Sequence, residues 1–148
     1  MNIKKILKFL LYLAPWFLSV ILFPTDKAYY LSLNKPFFAQ PPILFAIIWP
    51  ILYLLIAISI YKVFNISDKN YKITLLINYI SNQLFSLFFF TLKSNSLALI
   101  DTIIVLISSL FLYKKTKDID TTANKYLIPY IIWNIFASIL ISTIFITN

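Results

Sequence analysis

The chemistry open to this chain rests on a few polar and aromatic side chains set inside apolar stretches. Asn82 and Gln83 stand side by side, Asn78 and Ser86 lie four residues to either side of Asn82, and Asp101 is the only acid within such a stretch. Positions 78, 82 and 86 recur at i, i+4 and i+8, which stacks them on one helix face, with Gln83 turned about 100° away from Asn82. Carboxamides and a carboxyl can orient a guest by hydrogen bonds, and Trp49 and Trp133, within the apolar stretches, can stack on a flat π-system. The sequence has no histidine and no cysteine, and its one methionine is Met1. Thiolate and imidazole metal sites are therefore excluded, as are Ser-His and Cys-His nucleophiles. Asp101 has no basic companion in its stretch, so acid–base hydrolysis or group transfer lacks its parts. No catalytic residue of that kind and no metal are expected.

The elements that hold these side chains must lie in lipid. Of 148 residues, 61% are hydrophobic and 12% charged, with a mean hydropathy of +0.86. Soluble domains are about 45–50% apolar, and a chain of one domain's length cannot bury the excess. Five apolar blocks follow one another, over residues 6–23, 41–61, 71–92, 97–113 and 126–147. Each suits a hydrocarbon core of roughly 30 Å. The expected fold is all-α, an integral membrane bundle of five transmembrane helices forming one domain over 1–148. Pro41-Pro42 fits a helix start, where proline lacks only an orphan donor. Lys4 and Lys5 before the first block, with Lys8 at its start, resemble the start of a secretion leader, but no small-x-small site follows and the block ends at Phe23-Pro24, so a retained span is expected.

The net charge of +8 comes from lysines alone and sits between the apolar blocks, which argues against a nucleic-acid partner. Lys4, Lys5, Lys8, Lys62, Lys69, Lys72, Lys114, Lys115, Lys117 and Lys125 flank one side of the bundle; Lys27, Lys35 and Lys93 flank the other. The positive-inside rule then predicts a cytoplasmic N-terminus and an outer C-terminus, in a bacterial plasma membrane. The longest outer segment, 24–40, carries Tyr29, Tyr30, Phe37 and Phe38 and reads as a lid over the outer end. At about 1.5 Å per residue, Asn82 and Ala137 lie roughly 16 Å from the cytoplasmic side, Trp49 roughly 20 Å, Asp101 roughly 22 Å and Trp133 roughly 10 Å. Polar and aromatic groups of four helices thus converge beneath the lid. Asp101 is expected to face the third span and accept hydrogen bonds from Asn82 or Gln83.

Several motifs now resemble one family. Tyr30-x-x-Leu33-x-Lys35-Pro36 precedes Pro41-Pro42-x-x-Phe45-x-x-x-Trp49-x-x-Leu52-Tyr53. Asn82-x-x-Phe85-Ser86-x-x-Phe89-Phe90, Leu97-Ala98-Leu99-Ile100-Asp101 and Pro129-Tyr130-x-x-Trp133-x-x-Phe136-Ala137 follow in order. Together they resemble the tryptophan-rich sensory protein and translocator protein family. The resemblance implies a five-helix bundle that binds tetrapyrroles such as protoporphyrin IX and other flat hydrophobic ligands, commonly as a homodimer. It carries a ligand site onto Tyr30, Pro42, Trp49, Tyr53, Asn82, Gln83, Phe85, Asp101, Trp133 and Ala137. The family's sterol-recognition pattern, with a tyrosine and an arginine late in the fifth helix, has no counterpart in the final residues here. Without glycine, close approach of a second copy would fall to Ser81 or to the row Thr74, Asn78 and Asn82.

The function expected is that of a membrane receptor or carrier whose intramembrane pocket takes protoporphyrin IX, with no cofactor required. Lys35 in the lid, with Lys27 beside it, would meet the propionates. Lacking His, Cys or an internal Met as axial ligand, the pocket should prefer metal-free porphyrin to haem. The alternative is a light-dependent porphyrin-degrading enzyme in which Trp49 and Trp133 are oxidised. A secondary transporter is disfavoured by the absence of inverted repeats and of an ionisable relay.

Overall fold

A computed structural model describes residues 2–148. Five helices are long and apolar enough to cross a membrane, and the protein is an integral membrane helical bundle. We number the helices α1 (Ile3–Leu22), α2 (the short Lys27–Ser32), α3 (Pro42–Val63), α4 (Lys69–Thr91), α5 (Asn95–Ile119) and α6 (Ala123–Thr147). No strand occurs among the described residues. The acids outside the spans explain several of the helix starts. Asp26 accepts from the Tyr29 amide at the head of α2, Asp68 from Tyr71 at the head of α4, and Asp120 from Thr122 and Ala123 before α6. Each satisfies backbone donors that a first turn leaves open. Ser94 does the same for α5, and Pro41-Pro42 opens α3 as the sequence predicts.

The helices outrun the apolar blocks where lysines follow. α5 continues to Ile119 through Lys114, Lys115 and Lys117, because a helix can leave the lipid and stay helical in water. α6 begins at Ala123 with a 3₁₀ turn, a few residues before its expected start. α4 closes in a π-helical turn, Leu87–Thr91, after which Lys93 adopts φ 51°, the left-handed conformation that ends a helix and here falls on a non-glycine residue.

Helix α1 is irregular. Proline at position 15 has no amide to donate and its ring crowds the preceding turn, so Ala14–Phe17 winds as 3₁₀ helix. The break redirects the chain: Ile3–Leu13 packs on α3, with Phe9 and Tyr12 against Tyr61, whereas Leu18–Leu22 packs on α4. Trp16 sits at the break, 2% exposed, between the rings of Tyr53 and Tyr79.

Two apolar clusters stack along the bundle. One, toward the lysine-rich end, centres on Trp16, Ile56, Tyr71, Leu112 and Tyr130. The other, toward the 24–40 segment, centres on Tyr30, Phe89, Ala98 and Ile144. That segment is no plain loop, since it contains α2. It roofs the bundle through contacts to the α4–α5 turn, to α5 and to the end of α6: Asp26 pairs with Lys93 at 3.1 Å, Tyr29 donates to Asn95, and Asn34 bonds to Thr147 and Asn148. Phe38 meets Phe136 edge-on.

Candidate functional site

The polar residues of the spans form a connected network centred on α4. Over its most apolar window α4 has a mean hydropathy of 1.4 against 2.7 in α3, and the difference is spent inside the protein. Asn82, 5% exposed, accepts from Tyr53 Oη and Gln83 Nε2 and donates to Tyr130 Oη. Tyr130 in turn donates to Asn78, whose amide reaches the Val105 carbonyl and Ser108. In hydrocarbon each of these groups would be costly alone, and bonded to one another they tie α3, α4, α5 and α6.

Beneath the roof lies a cavity of about 350 Å³ with mostly apolar walls. Of the residues expected at a ligand site, Tyr30, Pro42, Trp49, Tyr53, Asn82, Phe85, Trp133 and Ala137 line it. Trp49 stands between Tyr53 and Trp133, with centroid distances of 5.5 and 6.4 Å, and its plane is at 88° to that of Trp133. The depth arithmetic separates the two tryptophans by about 10 Å; the earlier start of α6 moves Trp133 toward the roof and brings the rings together. Phe85 stacks on Phe89 at 5.4 Å on the opposite wall.

Three expected site residues lie elsewhere. Gln83 does not line the cavity. It turns to the break in α1, where its Oε1 accepts from the Ser19 amide at 2.8 Å and its Nε2 donates to the Trp16 carbonyl. Tyr79 donates to the Pro15 carbonyl from the same helix. The sequence placed Gln83 among ligand contacts because its partner, a kinked helix 64 residues away, is invisible to local pattern. Asp101 is also outside the cavity, where Thr102 takes the wall position. Its carboxyl accepts from Ser81, not from Asn82 or Gln83 as expected, because it meets α4 at the residue before Asn82, about 100° around the helix from it. Its second oxygen has no hydrogen-bond partner among the described residues. Lys35, expected at the propionates, folds back so that Nζ donates to the carbonyls of Tyr30, Leu31 and Leu33, closing the open end of α2. Lys27 lines the cavity in its place.

The row offered for a second copy is likewise occupied. Ser81, Asn78 and Asn82 are buried within the chain, and only Thr74 in that row remains accessible. Conversely, sequence reasoning missed Asn134, 2% exposed, on the cavity wall beside Trp133. A polar residue four positions after Tyr130 in an apolar span was the available signal. Trp133 Nε1 and Asn134 Nδ2 both lack an acceptor among the described residues.

Outside the spans, the Asp26 carboxyl is held below the usual carboxylate range, first by the Tyr29 amide and then by Lys93. The Tyr30 hydroxyl is raised by its burial in the roof and donates to the Gln40 carbonyl.

Fold and cavity define a class: an integral membrane bundle of five spanning helices built around an aromatic-walled cavity under a tethered roof. A profile of the TspO/MBR family matches residues 9–146. The chain is 35% identical to the tryptophan-rich protein TspO of Bacillus cereus, across all of this chain and 99% of that protein. It is 39% identical to an uncharacterized membrane protein, YtaB, of Bacillus subtilis, over 83% of this chain and 82% of the other. With the TspO of Archaeoglobus fulgidus it shares 32% identity over 82% and 81%. The chain belongs to the TspO/MBR family.

Proposed function

We propose that this protein is a membrane receptor or carrier that binds tetrapyrroles such as protoporphyrin IX, and similar flat hydrophobic molecules, in the cavity beneath the roof. The observation that carries this reading is the wall itself: Trp49, Tyr53, Phe85 and Trp133 around one space of about 350 Å³, with Asn82 and Asn134 as its polar groups. Ligand sites typically span about 300–1,000 Å³ and combine apolar walls with a few placed polar groups. Metal-free porphyrin is favoured, since the walls offer no imidazole, thiolate or thioether for an axial bond, and the phenols of Tyr30 and Tyr53 are engaged with Gln40 and Asn82. The lysine-rich end faces the cytoplasm in this reading.

The test is tryptophan quenching on titration with protoporphyrin IX in detergent or nanodiscs. Saturable quenching is expected in the wild type and is lost in Ala137→Trp, which fills the cavity; equal quenching in both would remove the reading. A second reading is light-driven porphyrin degradation, favoured by the position of Trp49 and Trp133 on the same wall. Substituting both by Phe should abolish light-driven loss of porphyrin fluorescence, and unchanged decay rules it out.

A further inference from the structure

The geometry points to a lateral portal between α1 and α3, through which an amphiphile with a flat apolar body and a carboxylate reaches the cavity from the bilayer, its carboxylate meeting Lys27. This inference rests on the binding function proposed above. Five cavity-lining residues are exposed: Val20, Thr25, Lys27, Ala46 and Pro50. All five lie on one side, from the second half of α1 through the start of the roof to the first half of α3. The lining residues of α4, α5 and α6 are buried or half-buried.

The cause is the break in α1. Ile3–Leu13 closes against α3, but Leu18–Leu22 leans on α4, so the two helices part as they approach the roof. On α3 the lip is formed by Pro42, Ala46 and Pro50, spaced at i, i+4 and i+8 and therefore on one face, over about 12 Å of helix. None has a long side chain to bridge the gap. Pro50 also lies inside the helix and has no amide, so the Ala46 carbonyl lacks its usual donor. Irregular backbone of this kind is tolerated in membranes where it lines a cavity. The roof, by contrast, is tied to the α4–α5 turn, α5 and α6 through Lys93, Asn95 and Thr147, which leaves the lateral gap as the untethered route.

Charge marks the outer corner of that gap. Of the three lysines at the roofed end, Lys93 pairs with Asp26 and Lys35 closes α2. Lys27 has no hydrogen bond or ion pair among the described residues, is exposed, and lines the cavity. A molecule lying in the leaflet with its carboxylate at the headgroup level would slide its ring system between Val20 and Ala46 and leave the anion at Lys27.

The chain has no cysteine, so one introduced thiol can be labelled uniquely. Protein in phosphatidylcholine nanodiscs is mixed with protoporphyrin IX in donor vesicles and quenching is followed in stopped flow. Ala46→Cys carrying N-benzylmaleimide, and Val20→Trp from the opposite lip, should each slow association by about tenfold, with dissociation slowed to match. The same label on Ile47→Cys, exposed to lipid and absent from the cavity wall, should change nothing. Lys27→Gln should weaken binding of the dicarboxylate by about tenfold, as for a lost charge-assisted hydrogen bond, and leave the dimethyl ester unaffected. Unaltered rates in both lip variants with binding intact overturn the portal and leave the binding function standing. Equal losses for acid and ester, or none, overturn the role of Lys27. Absence of quenching in the wild type removes the binding function and the portal with it.

Discussion

Replacing Gln83 by leucine separates two accounts of a polar residue in the middle of a membrane helix. If Gln83 serves the break in α1, the substitution leaves the Ser19 amide and the Trp16 carbonyl without their partner. The bond from Gln83 to Asn82 goes as well; side-chain hydrogen bonds within membrane bundles average about 0.6 kcal/mol and reach about 1.7, so the three together suggest a loss of about 2 kcal/mol. The assay is reversible unfolding in mixed micelles, followed by fluorescence of Trp16. A cycle sharpens the result. In a Pro15→Ala background the α1 backbone can resume α-helical bonding, the Ser19 amide regains a carbonyl, and the Gln83→Leu penalty should fall to about 0.6 kcal/mol, that of the Asn82 bond. Porphyrin affinity of the folded variant should stay within about threefold of wild type, since Gln83 does not line the cavity. A variant of unchanged stability that has lost ligand affinity would refute the clamp and return Gln83 to the binding site.

Asn82→Leu strips partners from Tyr53, Tyr130 and Gln83 at once and should cost about 2–3 kcal/mol in the same unfolding assay, with weaker porphyrin binding. Asp101→Ala removes the bond from Ser81, for a loss of about 1 kcal/mol, and should leave the quenching titration unchanged. Because the Asp26 carboxyl titrates below its unfolded value, its contribution to the roof is complete above about pH 4 and is lost as pH falls through the folded value. Protection of the α2 amides, taken relative to their intrinsic exchange rate at each pH, should accordingly fall in acid, and Asp26→Asn should show low protection at every pH.

The span pattern was legible because lipid imposes it: an apolar run of sufficient length has few other uses, and all five blocks became helices. Helix ends were less so. Hydropathy reports where lipid stops, whereas α5 runs on through Lys114 to Ile119 because nothing there breaks it. In the site, Trp49, Trp133 and Asn82 followed from their depth in the spans, and Tyr30, Tyr53 and Phe85 from the family resemblance. Gln83 and Asp101 did not follow. A neighbouring position points to another helix, so Gln83 meets α1 and Asp101 yields the wall to Thr102. Lys35 was misplaced because its long side chain can reach either way, and three free carbonyls at the end of α2 lie nearer than the cavity.

Lys93 adopts a left-handed backbone in a chain that contains no glycine. Such a conformation costs a side-chain-bearing residue about 1–2 kcal/mol, which glycine would not incur. Yet the same lysine pairs with Asp26 and lies over the Tyr29 ring, so glycine would relax the backbone and release the roof. The backbone at 93 and the charge at 26 are thus physically coupled. Among related sequences the two should covary, a basic residue at 93 appearing with an acid at 26, and glycine or asparagine at 93 appearing where that acid has gone.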